Sequence, residues 1–108
     1  MKSERLGEFE ELVLLCVRRL GEDVAYGAEI QSALAEDADR EVTLGAIYAS
    51  LDRMQRKGFA DSWLAEPTPE QGGRAKRYYG VTAEGLAALE ESRRIRERLW
   101  ASLGRAPS

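Results

Sequence analysis

The sequence contains no histidine, which removes the usual general base, proton shuttle and commonest metal ligand together. Its single cysteine, Cys16, rules out an internal disulfide and a multi-cysteine zinc site. The longest apolar run is the six residues from Leu12 to Val17, far below the ~20 needed to span a bilayer. The charged start, Met1 to Arg5, has no apolar core of a signal peptide. Cys16 lies inside the apolar run and reads as a small buried hydrophobe. Without an export signal, it points to the cytoplasm. No nucleophile–base pair can be assembled from these residues, so no enzyme, cofactor or metal is expected.

What is present describes one small folded domain. The 108 residues are 44% hydrophobic and 32% charged with only 3 prolines, a globular rather than a disordered balance. A net charge of −3 looks wrong for a partner of nucleic acid, but its distribution matters more than the sum. Residues 1–41 hold 5 basic and 11 acidic side chains, whereas residues 42–82 hold 6 basic and 4 acidic. The stretch from Gln71 to Thr82 carries Arg74, Lys76 and Arg77 and no acid. Positive charge is gathered on one segment.

Apolar spacing predicts four helices and a hairpin. Leu6, Phe9, Leu12, Val13, Cys16, Val17 and Leu20 recur at three- and four-residue steps, giving a first helix from Gly7 or Glu8 to Gly21. A second helix is expected from about Ala25 to Ala38, with Tyr26, Ile30, Ala33 and Leu34 on one face. Gly27 in its first turn weakens it by about 1 kcal/mol relative to alanine, so something should approach the backbone closely there. Thr43 suits the N-cap of a third helix, in which Leu44, Ile47, Leu51 and Met54 form a buried seam. Its opposite face, Thr43, Gly45, Ala46, Ala49, Ser50 and Arg53, is small and polar. Gly58 after Lys57 fits a left-handed stop, with Phe59 folding back onto the helix. The period then changes to two over Ala60–Ala65 and Arg74–Val81, joined by a Pro- and Gly-rich loop: a hairpin with a long, mobile tip. Trp63 reads as hairpin core or as a packing surface for the last helix, and Tyr79 and Val81 as the inward face. Thr82 caps a final helix from Ala83 to about Leu103, ~32 Å long.

This order defines a mainly α fold with a small β-hairpin: a winged helix-turn-helix over residues 1–82 and a C-terminal dimerisation helix with a short tail over residues 83–108. The third helix can enter a major groove ~12 Å wide. Its candidate DNA contacts are Thr43, Gly45, Ala46, Tyr48, Ala49 and Arg53. On the wing they are Gly73, Arg74, Lys76 and Arg77, which would meet phosphates or a minor groove. Tyr26 has two readings, a hydroxyl reaching a phosphate or a core aromatic. Tyr48 is divided between packing and DNA contact in the same way. The wing cations could also be a solvated edge that deters aggregation. The acidic first helix should face away from the DNA.

The motifs Tyr26-Gly27-Ala28-Glu29-Ile30, Leu44-Gly45-Ala46-Ile47-Tyr48, Leu51-Asp52-Arg53-Met54 with Lys57-Gly58, and Gly72-Gly73-Arg74-Ala75-Lys76-Arg77-Tyr78-Tyr79 with Thr82 and Gly85 resemble the PadR family of bacterial transcriptional regulators. The resemblance covers about residues 6–90 and rests on the ordered combination of these motifs. The short C-terminal part is similar to the smaller PadR subclass, in which one terminal helix serves the dimer. Ala49 stands where the family usually has proline. The resemblance implies a homodimeric repressor of a near-palindromic double-stranded DNA operator, released by a small molecule. A winged-helix protein-interaction module without DNA binding is the rival reading.

The last helix carries two apolar clusters divided by charge. Leu86 and Leu89 can seal their own domain. Ile95, Leu99, Trp100 and Leu103 lie beyond it and would leave a costly exposed patch, which a partner chain would cover, together with Phe9 and Leu12. Folding back on the first helix is the other way to cover it. By resemblance to PadR-like multidrug sensors, Trp100 and its symmetry mate would stack on a planar aromatic effector. Without a cavity, Trp100 would simply close the interface.

Overall fold

A computed structural model of the chain describes residues 5–66 and 75–104. The elements run α1 (Glu8–Leu20), α2 (Gly27–Ala38), α3 (Leu44–Arg56), β1 (Ala60–Leu64), β2 (Arg77–Val81) and α4 (Ala83–Leu103). Gly73 and Arg74, with the rest of the expected hairpin tip, lie outside the described residues.

The first three helices close one core. Val13, Leu14 and Val17 of α1, Ile30 and Leu34 of α2, and Ile47, Leu51 and Met54 of α3 are all essentially inaccessible to water. The α2 stripe is the expected one at Ile30 and Leu34. On α1, Leu14 joins Val13, Cys16 and Val17 in the core although the spacing left it out, while Leu6, Phe9, Leu12 and Leu20 are only partly buried. α3 differs at two positions. Leu44 is not in the buried seam: it is 38% exposed, at the start of the helix. Ser50 leaves the expected polar face and is fully buried. It stands three residues after Ile47 and four before Met54, so the helical repeat puts all three on one side. Its hydroxyl oxygen has no hydrogen-bond partner among the described residues.

Turn chemistry fixes the helix ends. Asp39 adopts the left-handed conformation, with φ 53°, and ends α2. The Gln31 amide then donates to the Val42 carbonyl at 2.8 Å, tying the turn between α2 and α3. Thr43 Oγ1 accepts the Ala46 N–H at 3.1 Å and caps α3. At its far end, Gly58 has φ 84°. Phe59 N–H returns to the Met54 carbonyl at 2.8 Å and Gly58 N–H to that of Gln55 at 3.0 Å. That is the double closure anticipated from Lys57-Gly58-Phe59.

The hairpin is antiparallel, with Ala60 opposite Val81, Ser62 opposite Tyr79 and Leu64 opposite Arg77. Regular pairing of β2 starts at Arg77 rather than Arg74, although Ala65 N–H still reaches the Lys76 carbonyl at 2.8 Å. A third edge is added from the start of α2. Tyr26 bridges Tyr78, and the Tyr79 N–H donates to the Ala25 carbonyl at 2.9 Å. Residues 25 and 26 therefore stay extended, α2 begins two residues later than expected, and Tyr26 is its N-cap rather than a member of its face. Trp63 lies across Gly80, beside Val17 and Gly21 at the end of α1. It shares an open depression with the end of α1 rather than with the last helix.

Glu10 shows what binds α1 to α3. Its side chain is only 7% exposed, yet it faces Lys57 Nζ at 3.0 Å and Arg53 Nε at 3.4 Å. It also accepts the Gly7 N–H at 2.8 Å. Burial opposes its charge, but the Gly7 N–H and the Lys57 and Arg53 cations prevail and hold the carboxyl below its ordinary value. The folded state thus favours the ionised form. Its contribution is complete above the unfolded value of about 4.3 and fades as pH falls through the lower folded value. Glu10→Gln should cost about 2 kcal/mol at neutral pH, because Lys57 loses its counter-charge. It should also flatten the acid side of the stability curve. Urea melts between neutral pH and acid measure both, and an unchanged acid slope would remove Glu10 as the cause.

Candidate nucleic-acid interface

α3 exposes a continuous face. Thr43, Gly45, Ala46, Tyr48, Ala49 and Arg53 are all exposed, and Leu44 joins them. No acid occupies the first turn. Tyr48 resolves the puzzle of Gly27: a Cβ on that glycine would overlap the Tyr48 hydroxyl and stand 2.8 Å from its ring carbon Cζ. Gly27 is therefore required for the phenol to lie across the start of α2. Tyr48 is thus packed along one edge and still 44% exposed, so packing does not withdraw it from the open face.

Tyr26 and the wing root form a second group. The Lys76 ammonium sits over the Tyr26 ring, 4.3 Å from its centre. On Tyr26, the edge of Tyr78 packs with ring centres 5.3 Å apart. Burial, then the neighbouring Glu29 carboxylate, pushes the Tyr26 phenol upward, which keeps it a protonated donor. Tyr78 is buried, a position that period-two reading assigned to the outer face.

The remaining cations divide. Arg77 donates to Ser62 Oγ at 2.9 Å, and Ser62 donates to Gln55 Oε1 at 2.7 Å, so this arginine is turned toward α3. Arg53 is half exposed, with its Nε directed at Glu10. The first helix does not present all its acids away from α3, since Glu10 lies beneath it and was missed as a buried ion. The local sequence marks it only as a helix-start acid able to accept the Gly7 N–H, because its cationic partners are more than forty residues away.

Away from this face, α4 is anchored only as far as Arg96. Leu89 is buried and Leu86 half-buried, while Leu99, Trp100 and Leu103 are 64%, 73% and 74% exposed. Phe9, Leu12 and Ile95 are partly covered. Arg96 reaches Glu11 of α1 at 2.7 Å, the last tie before the helix projects from the body. No helix among the described residues is long and apolar enough to cross a membrane.

A helix-turn-helix whose last helix stands free beside an antiparallel hairpin is a winged helix-turn-helix. The sequence profile of the PadR-like transcriptional regulator family matches residues 14–91, and the chain belongs to that family. It is similar to a PadR-like regulator from Bacillus cereus, with 26% identity, a TM-score of 0.71, and 88% of this chain and 86% of that one covered. A PadR-family regulator from Clostridium difficile gives 27% identity and a TM-score of 0.66, covering 91% of this chain and all (100%) of the other. One from Eggerthella lenta gives 26% and 0.67, with 90% and 83% covered. No curated protein matches the chain.

Proposed function

We propose that the protein is a homodimeric repressor of a near-palindromic operator, acting in the cytoplasm, with residues 1–82 as the DNA-binding domain and residues 83–108 as the dimerisation helix and tail. One observation carries the DNA-binding part: the first turn of α3 is exposed and free of acid, and its Tyr48 lies against the start of α2, where Lys76 covers the Tyr26 ring. Thr43, Gly45, Ala46, Tyr48, Ala49 and Arg53 meet the major groove. Tyr26 and Lys76 meet the backbone, joined by Gly73, Arg74 and Arg77 of the wing. In a two-fold dimer the two recognition helices lie ~34–36 Å apart, in successive major grooves.

Duplexes retained from a random pool by the purified protein should be two-fold symmetric. Lys76→Ala with Arg74→Ala should weaken binding to every sequence alike. It should also lower the log–log salt slope by about 1 for each phosphate that is no longer neutralised. An unchanged slope would exclude the wing from binding. Retention of no duplex would favour a protein-interaction module.

The exposed end of α4 supports an effector site of low polarity. Leu99, Trp100 and Leu103 line a shallow depression there, and two symmetry-related indoles would suit a planar aromatic compound, apolar or cationic. In a Trp63→Phe background, planar dyes should quench Trp100 saturably and weaken operator binding in parallel. Quenching with undiminished DNA affinity would make Trp100 a packing residue alone.

A further inference from the structure

Every polar side chain on α3 that could grip a base with two hydrogen bonds already has one of its groups engaged within the chain. Asp52 is paired with Arg56 at 2.5 Å. Arg53 directs its Nε at the buried Glu10 at 3.4 Å. Gln55 accepts the Ser62 hydroxyl, and Thr43 Oγ1 is occupied by the Ala46 N–H. The parts of the face that stand out are apolar: Leu44 and Tyr48, 38% and 44% exposed. They are four residues apart and therefore neighbours on one side of the helix. Gly45, Ala46 and Ala49 beside them put no bulk in the way.

The major groove offers one apolar group, the C5-methyl of thymine; cytosine has only hydrogen at that position. Lys76 and Arg77 on the adjoining hairpin root give the charge complement to a duplex. Resting on the DNA-binding reading above, we propose that Leu44 and the Tyr48 ring read thymine methyl groups, so that half-site specificity resides at T·A pairs and not at guanines. Leucine at position 44, exposed at the very start of the helix, is then a specificity-determining residue.

The operator selected by the full-length protein supplies the test. Each thymine is replaced in turn by deoxyuridine, which removes the methyl alone, and each guanine by 7-deazaguanine. Binding should weaken about fourfold for each methyl that the protein touches, the equivalent of one buried methylene. Removal of a guanine N7 should have no effect. Leu44→Ala should weaken binding by a similar factor on the thymine operator and by nothing further when its own thymine is already uracil. Full affinity for the all-uracil duplex, weakening confined to 7-deazaguanine, or strictly additive effects of Leu44→Ala and every uracil would each overturn the assignment. If no duplex is retained, the DNA-binding reading falls and this inference with it. A retained operator indifferent to methyl removal overturns the inference alone.

Discussion

A chain ending at Glu91 is expected to be monomeric or to aggregate, and to bind its operator between about a hundred- and ten-thousandfold more weakly than the intact protein. The factor follows from bivalency: once one half-site is held, the second recognition helix acts at a high effective concentration, and a monomer has no such gain. The physical argument starts from the shape of the chain. Its radius of gyration is 16.2 Å and it extends 65 Å along its longest axis against 34 Å across, whereas a compact chain of this size has a radius near ~13 Å. The excess is consistent with α4 running past its own core, bare at Leu99, Trp100 and Leu103. Alongside its first half, Leu15 of α1, with Leu86 and Leu89 of α4, lines an apolar groove of about 250 Å³. Leu15 itself is 46% exposed. A second copy running antiparallel would set its bare helix end against such a groove and satisfy both surfaces. Light scattering of the intact protein at low micromolar concentration should give twice the chain mass. Leu99→Glu with Trp100→Glu should give one chain mass while preserving the fold by circular dichroism. A dimer that survives this pair would place the interface elsewhere.

The features legible in the sequence are those set by neighbours within one turn or one hairpin. The bounds of α1, the Thr43 and Thr82 caps and the Lys57-Gly58-Phe59 stop each depend on residues close in the chain, and each took the expected form. The α1 stripe did so at Val13, Cys16 and Val17 but omitted the buried Leu14. The misreadings share a different cause. Residues 25 and 26 stay extended because their partners, Tyr78 and Tyr79, lie over fifty residues on. Glu10 is an inner ion because Arg53 and Lys57 arrive from the far end of α3. Ser50 is buried because helical position outweighs polarity when the whole side of the helix faces the core. Gly27 carried a clear signal of close approach, yet the group that approaches, the Tyr48 hydroxyl, belongs to another helix. On the candidate interface, the exposed residues of α3 were legible from their spacing. Spacing could not show that Asp52, Arg53 and Gln55 are engaged elsewhere, and that engagement is what leaves an apolar reading face.

Gly85→Ala is expected to be a severely destabilising change for the addition of one methyl group. A Cβ at Gly85 would overlap the Phe59 carbonyl oxygen and lie 3.0 Å from both its carbon and Val81 Cγ1. The obstacle is main chain held on several sides. The Phe59 carbonyl accepts the Thr82 N–H at 3.1 Å. Thr82 Oγ1 donates to the Gly58 carbonyl at 2.6 Å and accepts the Gly85 N–H at 3.0 Å. The stop of α3 and the start of α4 are thus one locked joint, and relief of the clash must lift α4 from it. Overpacking of this kind costs about 3 kcal/mol, a large part of the stability of a small domain, and should lower the melting temperature by roughly 10–20 °C. Gly27→Ala is the control. There the added carbon meets a phenol that can swing outward, and alanine returns about 1 kcal/mol of helix propensity. Gly27→Ala should melt close to the parent while displacing Tyr48 from its place on α2 and weakening operator binding. Equal melting temperatures for the two variants would mean that the joint between α3 and α4 yields as readily as a side chain, and that α4 is not rigidly coupled to the recognition helix.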